Sequence, residues 1–251
     1  TNKVTNMSGM FSGCRALKEI NLSSFYTSQV TNMSRIFCDC LLLSEINLLL
    51  FNTEKVTQMS SMFRNCSSLE EINLTSFKTD KVTNMAEMFE NCSSLKEINL
   101  LPFNTSQVTN MHSMFKDCKS LIQLKISSFN TNQVLDMSCM FFNCSSLKEI
   151  NLSSFNTSQV IDMSNMFFGC SSLKELDLSL INTHQLTNAS CMFLGCSLLK
   201  KLNLSSFDTN QVIDISYMFQ NCSVLKEIKT DNLKLLNKLK EDKEKISCIT
   251  F

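Results

Sequence analysis

The side chains of this chain that are able to do covalent or metal chemistry are thirteen cysteines and two histidines. Nine of the cysteines, Cys14, Cys40, Cys66, Cys92, Cys118, Cys144, Cys170, Cys196 and Cys222, follow one another at a constant step of 26 residues. A thiol repeated at one inward-pointing position serves as a small hydrophobe. Neighbours in such a column carry parallel rather than convergent Cβ vectors, so disulfides between them are not expected and a reducing compartment is favoured. Only Cys38 and Cys40 lie close in sequence, and no histidine accompanies them, so no metal site is expected. His112 and His184 occupy different positions of the period, two or more repeats apart, and neither is read as having a partnered nucleophile in its own column. On those grounds the chain is expected not to be an enzyme, with no cofactor and no small-molecule substrate.

The remaining chemistry sits at the end of the chain. Cys248, Ile249, Thr250 and Phe251 fit a C-a-a-X prenylation box, whose terminal Phe favours a geranylgeranyl chain. One such chain anchors weakly without a second signal. Lys234, Lys238, Lys240, Lys243 and Lys245 could supply it, opposed by Glu241, Asp242 and Glu244.

The cysteine column is one of many, because residues 1 to about 234 are nine copies of one 26-residue unit. Coil 1 is residues 1–26, coil 2 residues 27–52, and so on to coil 9 at 209–234. A fixed period in this range is the signature of a solenoid, in which each unit buries its apolar face only against its neighbours. In coil 1, Val4, Met7, Met10, Phe11 and Cys14 recur at steps of three and four, which predicts a short helix. Leu17, Ile20 and Leu22 follow an LxxLxL spacing and alternate with polar neighbours, as a half-buried strand would. Phe25 closes the core, and a Thr at Thr27, Thr53, Thr79 and each later coil opens the turn onward.

The expected fold is therefore an α/β solenoid, a right-handed leucine-rich-repeat superhelix or horseshoe. Each 26-residue repeat gives one short parallel strand on the concave side and one short helix on the convex side. Strands stack about 4.8 Å apart whereas helices need about 8–10 Å, so the stack is expected to curve. Residues 1–234 form the solenoid, 231–240 a capping helix over its last coil, and 241–251 a charged tether with the C-a-a-X-like end. The chain opens at Thr1 in mid-repeat without a Met, so an N-terminally incomplete sequence is expected.

Positive and negative side chains number 23 each, so no basic field exists to hold a nucleic-acid backbone. No run reaches the roughly 18 apolar residues of a membrane span. The concave columns offer Glu45, Glu71 and Glu97 beside Asn47, Asn73 and Asn99, a solvated face and a candidate partner site. The position after the core Phe is charged at Arg64, Glu90 and Lys116 but becomes Phe142, Phe168 and Leu194 in three successive coils. With Cys139, Cys191 and Tyr217 nearby, these form a candidate apolar partner patch on the convex side. Leu41, Leu42, Leu49 and Leu50 form a second patch, for which local burial is expected. Asn6, Asn32, Asn65, Asn73, Asn104, Asn151 and Asn221 begin Asn-x-Ser/Thr sequons, which an Asn-, Ser- and Thr-rich chain makes by composition.

The repeat phrase VTNMxxMFxxCxSLxEINLSSFNTSQV, to which 82–108 and 134–160 conform at most positions, resembles the BspA-like family of leucine-rich repeat proteins. The resemblance covers about residues 1–234. It implies a leucine-rich-repeat solenoid without catalytic residues, found in bacterial surface proteins and in parasitic protists, with roles in adhesion and host contact. Some protist members are similar in ending with a prenylation box and lying at the plasma membrane. The expected function is a non-catalytic protein-interaction module, membrane-associated through a prenyl anchor on Cys248. The expected place is the periphery of the cell, with the cytoplasmic face of the plasma membrane favoured by the thiols and the box. The competing expectation is an intracellular prenylated scaffold for signalling or sorting.

Overall fold

The structure is a computed structural model that describes residues 2–243. The nine coils stack with each residue beside its equivalent 26 positions on. Where the strand segments pair most closely they form β1 (Glu97–Asn99) with β2 (Gln123–Lys125), and β3 (Glu175–Asp177), β4 (Lys201–Asn203) and β5 (Glu227–Lys229) in that order. All pairs are parallel, in the register Glu97↔Gln123, Glu175↔Lys201 and Lys201↔Glu227, as the LxxLxL columns require.

The expected helix in each coil is not there. Among the described residues, segments such as Met85–Cys92 form consecutive tight turns instead. Met85, Glu87, Phe89 and Asn91 donate their backbone N–H groups to Asn110, His112, Met114 and Lys116 of the next coil, at 2.7–3.1 Å. The alternate amides of Met88, Glu90 and Cys92 turn back to carbonyls three residues earlier in their own coil. Parallel bridges running from Asn6↔Asn32 to Asn188↔Asp214 open this second ladder. Repeated three-residue turns place Met85, Phe89 and Cys92 on one face much as a helix would, so periodicity alone does not separate the two backbones.

Alternating amide directions demand left-handed residues, and they recur at two positions per coil. One column reads Gly13, Asp39, Asn65, Asn91, Asp117, Asn143, Gly169, Gly195 and Asn221, each with φ between 54° and 77°. Only Gly, Asn and Asp visit that region readily, so this column carries the fold's signature in its composition. A hydrogen-bonded ladder on both sides replaces the helix-to-helix spacing of about 8–10 Å from which curvature is expected. Successive core Phe rings lie 5.4–5.9 Å apart on the turn side, as in Phe89–Phe115, and 6.3 Å apart on the strand side in Phe77–Phe103.

Columns of Met, Phe, Cys, Val and Leu fill the interior, most of them with no exposed surface. The Thr column closes each coil onto the next. Thr79 Oγ1 donates to Asn104 O and accepts from Asn104 N, both at 2.8 Å, so one buried hydroxyl serves two backbone groups. At the far end α1 (Leu233–Lys243) covers coil 9 with the fully buried Leu235. Asn232 caps it by accepting from Leu235 N, and Asp242 Oδ2 accepts the Phe219 N–H that a tenth coil would have taken. Residues 241–243, which the sequence reading assigns to the tether, are helical; Cys248 lies outside the described residues.

Candidate interaction surfaces

On the strand face, Glu45, Asn47, Glu71, Asn73, Glu97 and Asn99 are all exposed, side by side in two columns. The asparagines are partly committed. Asn47, Asn73 and Asn99 accept the N–H of Leu49, Thr75 and Leu101 at 3.1–3.2 Å, each forming an Asx turn at the strand's end. The Glu45, Glu71 and Glu97 carboxylates, exposed and outside the ion pairs of the described residues, remain on offer. Half-buried Ile20, Ile46 and Ile72 floor a groove of about 760 Å³ between the Glu and Asn columns. A second groove, about 700 Å³, runs over coils 6–9 and is rimmed by Glu175, Lys201, Glu227 and Lys229. Lys96–Glu70 at 3.0 Å and Lys201–Glu175 at 3.5 Å are at least half-exposed pairs, worth little to stability.

The outer face has a continuous stack. Arg64 Nε lies 2.8 Å from Glu90, Glu90 lies 2.9 Å from Lys116 Nζ, and that ammonium sits 5.9 Å from the centre of the Phe142 ring. Phe142 then stacks on Phe168 with centroids 4.4 Å apart and planes 8° from parallel. This hydrogen bond to Glu90 raises the Lys116 pKa. The alternating charges at 64, 90 and 116 were legible in the sequence as a ladder, and the reading above takes them only as polar contrast to the phenylalanines. Cys139, Cys191 and Tyr217 do not project as helical spacing implies, because they occupy the second left-handed column, with φ of 56°, 56° and 57°. Tyr217 is 57% exposed, while Cys139, Phe142, Phe168, Cys191 and Leu194 are half-buried. The structure thus brings Phe142 and Phe168 together and lets them cover one another. The second patch departs from expectation: Leu42, Leu49 and Leu50 are 46–67% exposed.

His112 also corrects the sequence reading, since Ser138 in its own column lies 2.7 Å from Nδ1. Ser138 donates to Asp136 at 2.5 Å, so Nδ1 carries the proton, and Nε2 accepts from Ser113 at 3.1 Å. The order Ser113, His112, Ser138, Asp136 is that of a proton relay, but Ser113 is 1% exposed, so the relay's outer end is closed to solvent. His184 is a solvated side chain 3.6 Å from Asp208. Among the described residues no three His, Cys, Asp or Glu side chains converge as metal ligands, and no helix is long and apolar enough to cross a membrane.

The thiol column is built as expected. From Cys40 to Cys222 each ladder thiol donates to the carbonyl of a Phe in the preceding coil, as Cys118 Sγ does to Phe89 at 3.1 Å, while Cys14 departs from expectation by being exposed. Burial pushes the Cys170 thiol up to about 12 and the Cys40 thiol up to about 11. The sequons follow from turn chemistry. Asn6, Asn32, Asn73, Asn104 and Asn151 each accept the N–H of the Ser or Thr two residues on.

A family model described as "Mycoplasma protein of unknown function, DUF285" matches residues 1–99, 42–149, 69–175 and 138–242. No curated protein matches the chain. Among solved structures, a leucine-rich repeat protein from Bacteroides ovatus is 22% identical with a TM-score of 0.46, over 90% of this chain and 64% of that one. A leucine rich cell surface protein from Faecalibacterium prausnitzii is 18% identical with a TM-score of 0.36, over 92% of this chain and 77% of that one. The chain therefore spans just under two thirds of the Bacteroides protein's length.

Proposed function

We propose, for a chain that belongs to the DUF285 family, a non-catalytic role as a protein-interaction module that binds through its strand face. One observation carries this reading: the strand face holds two grooves, one floored by half-buried Ile20, Ile46 and Ile72 and the other by half-buried Ile150 and Ile228 with buried Leu176 and Leu202, both rimmed by charges that the core does not need. The outer face is the weaker candidate, because its phenylalanines are already engaged with each other and with Lys116. The test is partner capture by the intact chain, wild type against Glu45→Lys/Glu71→Lys and against Phe168→Asp, with melting temperatures alongside. Loss of partners in the first variant alone supports the strand face. Loss in the second alone moves the site to the outer face.

The setting proposed for this module is the cytoplasmic side of the plasma membrane, held peripherally by a prenyl group on Cys248. Protonated, hydrogen-bonded thiols that form no disulfides favour a reducing compartment. Adhesion or host contact at the cell surface is the reading that the BspA-like resemblance favours. An intracellular scaffold in which the lipid serves sorting is the third. Labelling with a prenyl analogue, lost on Cys248→Ser, tests the anchor, and protease shaving of intact cells separates outside from inside.

A further inference from the structure

The charges of the strand face are ordered along the stack. In coils 2 and 3 that face carries Glu45, Glu70 and Glu71 and no base at the equivalent columns. In coils 4 to 7 acids and bases balance, as in Lys96 beside Glu97 and Lys148 beside Glu149. In coils 8 and 9 the surplus reverses, with Lys200, Lys201, Lys226 and Lys229 against Glu227. Among the described residues Glu45, Glu71, Lys200 and Lys226 make no ion pair, and all four are exposed.

Coil 1 is balanced by Lys18 and Glu19, and a surface that is negative over coils 2 and 3, neutral over coils 4 to 7 and positive over coils 8 and 9 is complementary to itself under a two-fold rotation. An axis lying in the interface and running along the strand direction, between coils 5 and 6, sets coils 2 and 3 of one copy over coils 9 and 8 of another. The balanced coils 4 to 7 then meet their own equivalents, with the exposed Ile122 near the centre. Eight coils at the strand spacing span roughly 40 Å and a six-residue strand about 20 Å, close to the ~800 Å² per partner of a standard interface.

We infer that the strand face pairs with the strand face of a second copy of this chain, antiparallel, by matching Glu45 and Glu71 to Lys226 and Lys200. This rests on the strand-face reading above and names its occupant. Electrostatic matching of this kind sets register and encounter rate, so the association weakens as salt rises.

The experiment is sedimentation velocity on the purified full chain at low salt and at about 0.5 M salt, where the Debye length falls to about 4 Å. Wild type is expected as a dimer that dissociates with salt. Glu45→Lys/Glu71→Lys leaves coils 2 and 3 as well as coils 8 and 9 net basic, and Lys200→Glu/Lys226→Glu leaves both net acidic, so each alone should associate at least about tenfold more weakly. An equimolar mixture of the two variants should recover the dimer, which a folding defect in either would prevent. A monomeric wild type at low salt, or a dimer indifferent to both reversals, overturns the inference. If the chain is monomeric yet loses a captured partner in Glu45→Lys/Glu71→Lys, the self-pairing fails while the strand-face reading stands.

Discussion

A thiol inside this stack behaves as a short aliphatic side chain with one weak donor. Cys170 is fully buried, donates a hydrogen bond to the Phe141 carbonyl at 3.1 Å, and has its ionisation pushed up from 9.0 to about 12 by loss of water. A raised folded-state pKa means that the stability is fully present below the unfolded value and is lost as pH rises through the folded one. Between about pH 9 and 12 the unfolded chain sheds protons that the folded chain keeps. Each buried thiol then lowers unfolding free energy by about 1.4 kcal/mol per pH unit. Urea unfolding should therefore be insensitive to pH from 7 to 8 and fall steeply above 9, with exposed Cys14 reacting with a thiol reagent well before the ladder. Stability that holds or rises at pH 10.5 would show that the column is not shielded.

Within a coil the decisive element is the run of tight turns, and its tolerance is set by the left-handed residues. Gly169 has φ of 68°, and a Cβ built on it would run into the side-chain amide oxygen of Asn143 in the coil before. Gly169→Ala thus incurs the left-handed penalty of ~1–2 kcal/mol and a clash. Asn143→Gly keeps a residue suited to its own φ of 54° and removes the clashing amide, at the loss of its 3.1 Å bond to Asp117. The double variant should recover about 1 kcal/mol or more of the Gly169→Ala loss in chemical denaturation. Strict additivity of the two changes would mean that the coils do not interlock there.

At the scale of the whole molecule the stack has no unique centre, because every coil repeats the same columns and contacts only its neighbours. Removing residues 134–159, joining Gln133 to Val160, takes out one full period. Lys116 then meets Phe168 as it met Phe142, and His112 meets Ser164 and Asp162 as it met Ser138 and Asp136. Cooperative melting should survive, with the particle shortened by about 4.8 Å. Removing 25 residues instead, 135–159, slips every later column by one position and should abolish cooperative melting of the C-terminal coils. Equal stability of the two deletions would contradict a stack held by matched columns.

The register of the coils, the identity of the core columns and the thiol ladder from Cys40 onward could be read from the chain, because a 26-residue period makes every position its own control. The strand was legible from Leu17, Ile20 and Leu22, whose alternation has no helical counterpart. The backbone on the opposite side was not. Met85, Phe89 and Cys92 face inward at the same spacing in a helix or in a run of tight turns, and what separates the two is the destination of the amides between them. In this fold every second N–H finds its acceptor 25 residues ahead, in a carbonyl that exists at that place only once the next coil has been laid down. The same holds for His112 and for the outer phenylalanines: their neighbours are one period away, so their surroundings are set by stacking rather than by the local run of residues.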